Sequence, residues 1–258
     1  MTDVYETLPP FSGLRIYILK GLCMEYWSSQ PGSRGVLLVH GAWHTGSAWN
    51  GVADSLRRLG VPVAVAELHR GSLAADIAAA ESALNGIVGA GPVVACGHSY
   101  GGTVITGLPP EKIAHLVYLA APMPDIGESS LALLSGAPPS DLFTHVVGDL
   151  HGITTIDPAA AGELFHSHLR KEQRAVHVAS LVAQSMAAGY EPITSAAWHT
   201  RPSTFVVCAD DRVVNPELQR RLSKRATHTV TWDSDHGVFA SHEADTIELL
   251  SRLAADAR

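Results

Sequence analysis

The sequence predicts an α/β fold, in which helices cover both faces of a mostly parallel, twisted sheet. Short, continuous apolar runs recur along the chain, and such runs are typical of strands buried on both faces of a parallel sheet. Segments with helical periodicity separate most of these runs, and strands that alternate with helices form parallel sheets. The predicted central strands lie at 35–40, 61–66, 92–96, 113–120, 203–209 and 227–231.

Apolar spacing predicts helices between these strands, and a short hairpin before them. The helices are expected at 47–59, 73–88, 102–106, 216–224 and 243–255. Residues 14–19 and 23–27 are expected to pair through a turn at Lys20 and Gly21.

The regular alternation stops between Ala121 and about Thr200. Amphipathic stretches at 159–169 and 172–186 predict helices there, and no strand pattern is evident. We therefore expect one domain over residues 1–258, with a helical lid inserted at approximately 121–200.

Composition restricts the class of protein and its surroundings. The 258 residues are 46% apolar and 17% charged, which is typical of a globular protein. The net charge of −7 repels the phosphate backbones of nucleic acids. Met1–Pro10 has no apolar run and is therefore not expected to be a signal peptide, and no apolar stretch is long enough to span a membrane. The three cysteines, Cys23, Cys96 and Cys208, are too sparse for a disulfide framework. We expect a cytoplasmic protein without nucleic-acid or membrane partners, and the oligomeric state stays open.

The motif Gly97-His98-Ser99-Tyr100-Gly101 follows directly after a predicted buried strand and precedes a short helix. This is the context of a nucleophile elbow, a sharp strand-to-helix turn that projects a serine above the sheet. The flanking glycines leave room where strand and helix nearly touch. Ser99 is therefore the candidate nucleophile.

A second motif, His40-Gly41-Ala42-Trp43, ends the first buried strand. Acyl transfer through a serine needs two fixed N–H donors for the oxyanion. The elbow predicts one donor at Tyr100, the residue after the nucleophile, and the other in the loop after this strand, at Ala42.

Candidate acids and a candidate base follow the last two predicted strands. Asp210 and Asp211 come after one strand, and His236 comes after the next, so all lie at the sheet edge that Ser99 occupies. The order Ser, Asp, His is that of a hydrolase triad with His236 as base and Asp211 as the acid that orients it. Asp210 and, less plausibly, Asp125 remain alternatives for the acid.

The segments 40–44 and 97–102 resemble the α/β-hydrolase subfamily of plant methyl esterases and hydroxynitrile lyases, with its bacterial esterase relatives. The resemblance covers most of the chain in order and spacing. It implies an α/β-hydrolase fold, the triad Ser99, Asp211 and His236, and donors from Ala42 and Tyr100. It also implies that Asp211 rather than Asp210 is the acid.

The sequence departs from the lyases of this subfamily at two positions. They carry a threonine where Gly41 stands, and a lysine that holds cyanide where Gly237 stands. Both departures argue against cyanohydrin chemistry.

These residues predict a cofactor-free serine esterase that cleaves a small, moderately apolar carboxylic ester or lactone through an acyl-enzyme. Alternatives are a ligand-binding sensor on the same scaffold, lyase-like chemistry and perhydrolase chemistry. No metal is expected, although His166 and His168 form a His-x-His pair. The residues predicted to line the substrate pocket are Gly41, Trp43, His44, Val238 and Phe239.

Overall fold

The computed structural model describes residues 34–69, 71–87 and 91–255 in full, and the strands Arg15–Leu19 (β1) and Leu22–Tyr26 (β2) by their backbone. These two strands pair antiparallel, as the sequence predicted. The turn expected at Lys20 and Gly21, the segment Met1–Pro10 and the side chain of Cys23 lie outside the described residues.

A six-stranded parallel sheet forms the centre of the molecule. Its strands are β3 (Val36–Val39), β4 (Val63–Ala66), β5 (Val93–His98), β6 (Ile113–Leu119), β10 (Ser203–Cys208) and β11 (His228–Trp232). They lie in the order β11-β10-β6-β5-β3-β4. The strand order therefore reverses between β3 and β5, and ligands of open α/β sheets bind at such a point, beyond the carboxyl ends of the strands.

Alternate residues of the inner strands β3, β5, β6 and β10 are buried in two different cores. Leu37, Val39 and Ala95 belong to one core, whereas Leu38 and Cys96 belong to the other. This alternation follows from the period of two in a strand, and it requires that helices cover both faces. The observed helices around the sheet are α1 (Asn50–Arg58), α2 (Leu73–Asn85), α3 (Tyr100–Thr106), α8 (Pro216–Leu222), α9 (Val238–Ser241) and α10 (Glu243–Ala255).

The segment between β6 and β10 corresponds to the expected lid insertion, and we keep the name lid for it; it is not purely helical. It contains α4 (Ser130–Ser135), α5 (Pro158–Phe165), α6 (Lys171–Ala179) and α7 (Ala187–Tyr190). It also contains a three-stranded antiparallel sheet of β7 (Val146–Gly148), β8 (Ile153–Ile156) and β9 (Gln184–Ser185), so the expectation that the lid has no strand was wrong.

The helix expected over 172–186 ends early because residues 182 and 184 bond elsewhere. Val182 donates its N–H to the Trp43 carbonyl at 2.8 Å, and Gln184 pairs with Thr154 in the lid sheet. Tertiary hydrogen bonds thus outweigh the apolar spacing of this stretch. None of the helices in the described part of the chain has the length and apolar character needed to cross a membrane.

Candidate active site

Ser99 lies on the sharp turn between β5 and α3, in a backbone conformation that few side chains adopt. Its φ is 51° and its ψ is −127°, and such strain persists only where the surrounding structure fixes it. The glycines of the motif explain how the turn closes. A Cβ at Gly97 would lie 2.4 Å from the Gly101 carbonyl oxygen, and one at Gly101 would lie 2.4 Å from that of Val39. Only glycine fits at either position.

The loop after β3 lies directly against Ser99. A Cβ at Gly41 would lie 2.8 Å from the Cβ of Ser99, so glycine permits an approach that any other residue would prevent. Ala42 and Tyr100 line the same cavity as Ser99. As the first residue of α3, Tyr100 has an N–H without a partner inside the helix.

Asp211 lies buried at the end of β10, where four donors fix its carboxylate. One oxygen accepts the N–H groups of Val213 at 2.7 Å and Val214 at 2.9 Å. The other accepts the Gln219 side-chain amide at 2.7 Å and His236 Nδ1 at 2.8 Å. The imidazole is therefore held with its proton on Nδ1, which leaves Nε2 to act as a base.

The two alternative acids lie away from this imidazole contact. Asp210 is 58% exposed and pairs with His168 at 3.2 Å. Asp125 is 41% exposed and pairs with His199 at 2.8 Å.

Residues that the sequence did not single out hold the loop of His236 in place. His98 Nε2 donates to the His236 carbonyl oxygen at 2.8 Å, and the two rings lie 4.6 Å apart. Asp235, which is fully buried, accepts the N–H of His168 and the hydroxyl of Ser241, each at 2.8 Å. The loops of Ser99, Asp211 and His236 thereby meet at one edge of the sheet.

A group of buried imidazoles lies next to His236. His44, His98 and His166 have ring centroids within 6.3 Å of a neighbour in the group. Burial lowers the pKa of His44 to about 3 and that of His166 to about 2, and it holds the pKa of His98 well below its usual value. These rings are neutral at physiological pH and pack as aromatic core residues.

The candidate His-x-His pair does not converge on a common point. His166 is buried and stacks on His177 with centroids 4.5 Å apart, whereas His168 lies at the surface beside Asp210. Within the described ranges, no group of three or more His, Cys, Asp or Glu side chains is arranged to hold a metal ion.

The cavity in front of Ser99 has a volume of about 330 Å³, which is in the range of small-molecule sites. Most of its wall is apolar and comes from the lid and from the turn after Asp211. Asp76 and His69 supply polar groups, and Tyr100 donates its hydroxyl to Asp76 at 2.8 Å. Its apolar lining includes Leu131, Leu134, Leu142, Ile153, Met186, Ala188, Val213 and Val214.

Of the predicted pocket residues, Trp43 lines this cavity and the other four do not. Gly41 packs directly against Ser99, where a Cβ on residue 41 would lie 2.8 Å from the Ser99 Cβ. The His44 ring turns inward and contacts Phe239 with centroids 5.8 Å apart. Val238 and Phe239 begin α9, whose apolar side chains pack into the core that contains Leu38. We predicted that Val238 and Phe239 line the cavity because they follow His236 in the sequence. The chain instead turns into the core directly after His236.

Comparison with known proteins is consistent with this geometry. The profile of the alpha/beta hydrolase family matches residues 36–249. A carbendazim hydrolyzing esterase from Nocardioides sp. (strain SG-4G) is 35% identical over 128 residues, which are 45% of this chain and 53% of that protein. The match thus spans about half the length of that relative.

Two solved structures share the fold at lower identity. A pyrethroid hydrolase from Sphingobium faniae JZ-2 superposes with a TM-score of 0.74 at 20% identity, covering 87% of this chain and 98% of that one. The methylesterase MES16 from Arabidopsis gives a TM-score of 0.67 at 20% identity, covering 85% and 98%. The fold class and the resemblance to plant methyl esterases and bacterial esterases are confirmed.

Proposed function

This chain belongs to the alpha/beta hydrolase family, and we propose that it is a cofactor-free serine hydrolase that cleaves a small, moderately apolar carboxylic ester or lactone. The observation that supports this most is the 2.8 Å contact between His236 Nδ1 and Asp211, at the sheet edge where Ser99 occupies a strained elbow. A base oriented by a carboxylate, at the same sheet edge as a serine that lines a cavity, is the arrangement expected for nucleophilic acyl transfer.

In the first half of the reaction, Ser99 Oγ attacks the ester carbonyl carbon and gives its proton to His236 Nε2. The N–H groups of Ala42 and Tyr100 stabilise the oxyanion. His236 then protonates the leaving alcohol oxygen as the carbon–oxygen bond breaks, which leaves the acyl group on Ser99.

In the second half, water attacks the acyl carbon and gives its proton to His236. The tetrahedral intermediate collapses, Ser99 Oγ regains the proton, and the carboxylic acid leaves. The protein supplies every proton transfer, so this cycle requires no cofactor.

The cavity supports an apolar substrate, because its lid wall is built from leucine, isoleucine and methionine side chains. The relative named for carbendazim hydrolysis makes carbendazim a compound to test beside simple esters and lactones. Lyase-like chemistry is less well supported. A Cβ at Gly237 would lie 2.2 Å from His166 Nδ1, so the buried imidazole leaves no room for a lysine at that position.

The test is turnover of p-nitrophenyl butyrate by the wild type, by Ser99→Ala and by Ser251→Ala as a surface control. Ser99→Ala should lower kcat by about 10⁶-fold while the protein still folds, because triad members act as a unit. Ser251, on the exposed side of α10, should be replaceable without effect. Activity above a tenth of wild type in Ser99→Ala would contradict the proposal.

A further inference from the structure

The peptide between Ala42 and Trp43, in the candidate oxyanion loop, has an unfavourable conformation. Trp43 has a φ of +58°, which is uncommon for a residue with a side chain. The His44 N–H bonds the Gly41 carbonyl at 3.4 Å, so these residues form a type II turn with Trp43 at the position that favours glycine. Turning this peptide over would give a type I turn and relieve the positive φ.

Hydrogen bonds at both ends of this peptide oppose that rotation. The Ala42 carbonyl accepts from His44 Nδ1 at 2.8 Å. The Trp43 N–H donates to the side-chain oxygen of Gln184 at 2.9 Å, across 141 positions of the sequence. Burial of the Trp43 N–H makes the loss of its acceptor costly.

The acceptor belongs to the lid. Gln184 lies in β9, and two further hydrogen bonds join the lid to Trp43. Val182 donates its N–H to the Trp43 carbonyl at 2.8 Å, and the Trp43 indole donates to Thr154 Oγ1 at 3.1 Å. Thr154 in turn donates to the Gln184 carbonyl at 3.1 Å. The small lid sheet is thus bonded directly to the residue after the oxyanion donor.

The peptide on the other side of Ala42 is held as well, because the Gly41 carbonyl accepts from His40 Nδ1 at 2.9 Å and from the His44 N–H at 3.4 Å. Gly41 precedes Ala42 and restricts its own backbone less than any other residue would. The Ala42 N–H belongs to the Gly41–Ala42 peptide, and its direction is fixed only when the chain is held on both sides of Ala42, by these bonds to the Gly41 carbonyl and by the bonds from the lid to Trp43. Oxyanion donors act through a preset direction, so a loose loop lowers the rate of the chemical step.

We propose that Gln184 is a positioning residue that couples the lid to the oxyanion hole, so that the Ala42 donor is held in place only while β8 and β9 are docked. This inference rests on the proposed function, because it requires Ala42 to act as an oxyanion donor. It assigns to the lid strands a role in the chemical step as well as in covering the substrate.

The experiment compares Gln184→Leu, which removes the acceptor, with Gln184→Glu, which keeps an oxygen for the Trp43 N–H. Gln173→Leu on the exposed face of α6 is the matched control. Thr154→Val removes a bond to Trp43 at a residue that does not line the cavity. For each variant, kcat and KM for a p-nitrophenyl ester are measured together with the affinity for a boronic acid that forms a tetrahedral adduct on serine.

Gln184→Leu should lower kcat by roughly 10- to 100-fold, the effect of one lost hydrogen bond to a buried N–H, with KM changed less than threefold. Boronic acid affinity should fall by about the same factor as kcat/KM. Thr154→Val should give a smaller loss of kcat in the same direction. The kcat of Gln184→Glu should stay within about fivefold of the wild-type value. The kcat of Gln173→Leu should equal the wild-type value.

A rise in KM at constant kcat for Gln184→Leu would show that the residue only shapes the pocket and would overturn the inference. Unchanged kcat in both Gln184→Leu and Thr154→Val would also overturn it. If Gln184→Leu does not fold, Gln184→Asn, whose shorter side chain cannot reach the Trp43 N–H, takes its place. A wild type without esterase activity would refute the proposed function itself, and this inference with it.

Discussion

Replacement of Asp211 by asparagine tests the assignment of the acid, because the structure defines which contacts the amide can keep. The carboxylate accepts from Val213 and Val214 through one oxygen, and from Gln219 and His236 through the other. An asparagine oxygen that keeps the two backbone N–H groups turns its NH₂ group towards Gln219 and His236, which are both donors.

Gln219 cannot adapt to this change by turning its own amide over. Its NH₂ also donates to the Val214 carbonyl at 2.7 Å, and its oxygen accepts the Cys208 N–H at 2.9 Å. The imidazole of His236 must then accept at Nδ1 and carry its proton on Nε2. In that tautomer it cannot take the proton of Ser99, and such a change costs about 10⁴ in kcat.

Asp210→Asn is the matched control, because Asp210 is the adjacent carboxylate. Its side chain is 58% exposed and its partner is the surface residue His168, so its removal should change kcat less than threefold. The assay is kcat on p-nitrophenyl butyrate for both variants, with thermal melting to show that each is folded. A larger loss in Asp210→Asn than in Asp211→Asn would refute the reasoning.

Three further predictions follow from the same contacts. Gly41→Ala should lower kcat/KM by about 10²-fold or more, because its Cβ would lie 2.8 Å from the Ser99 Cβ and displace an oxyanion donor. Gly91→Ala, where a Cβ meets open space, should have no effect, and equal kinetics for the two variants would contradict the close approach. The free energy of unfolding should fall as pH drops below about 6.5, because the folded pKa values of His44 (about 3) and His166 (about 2) are lowered by burial while the unfolded values are not. Below that pH the unfolded chain binds more protons than the folded one, so the free energy of unfolding falls by up to about 1.4 kcal/mol per histidine for each pH unit. Urea titrations at pH 7.5 and 5 measure this change. Equal free energies of unfolding at the two pH values would argue against neutral buried rings. EDTA should leave kcat unchanged, because the proposed cycle uses protein groups alone, and inhibition that zinc reverses would be evidence of a required metal.

Much of the fold was predictable because its signals are local. Continuous apolar runs identified the inner strands β3, β5, β6 and β10, since strands buried on both faces need apolar residues at every position. The elbow at Ser99 was predictable for a similar reason, because the close approach of strand and helix requires glycine at 97 and 101.

The lid and the cavity wall were less predictable because distant contacts determine them. The stretch before Gln184 has the apolar spacing of a helix, yet α6 ends at Ala179. Gln184 instead accepts the N–H of Trp43, 141 positions away in the sequence. Gln219 gave one available signal, a polar residue on the buried face of α8 between Leu218 and Leu222. A buried polar side chain on such a face needs partners, and Asp211 is one of them.

The most direct test of the central claim is covalent labelling with a fluorophosphonate, followed by peptide mapping by mass spectrometry. We predict one adduct per chain, on the peptide that contains Ser99, with loss of esterase activity in proportion to labelling and no adduct in Ser99→Ala. An unlabelled but active enzyme, or activity lost through modification of a different residue, would contradict the assignment of Ser99 as the nucleophile.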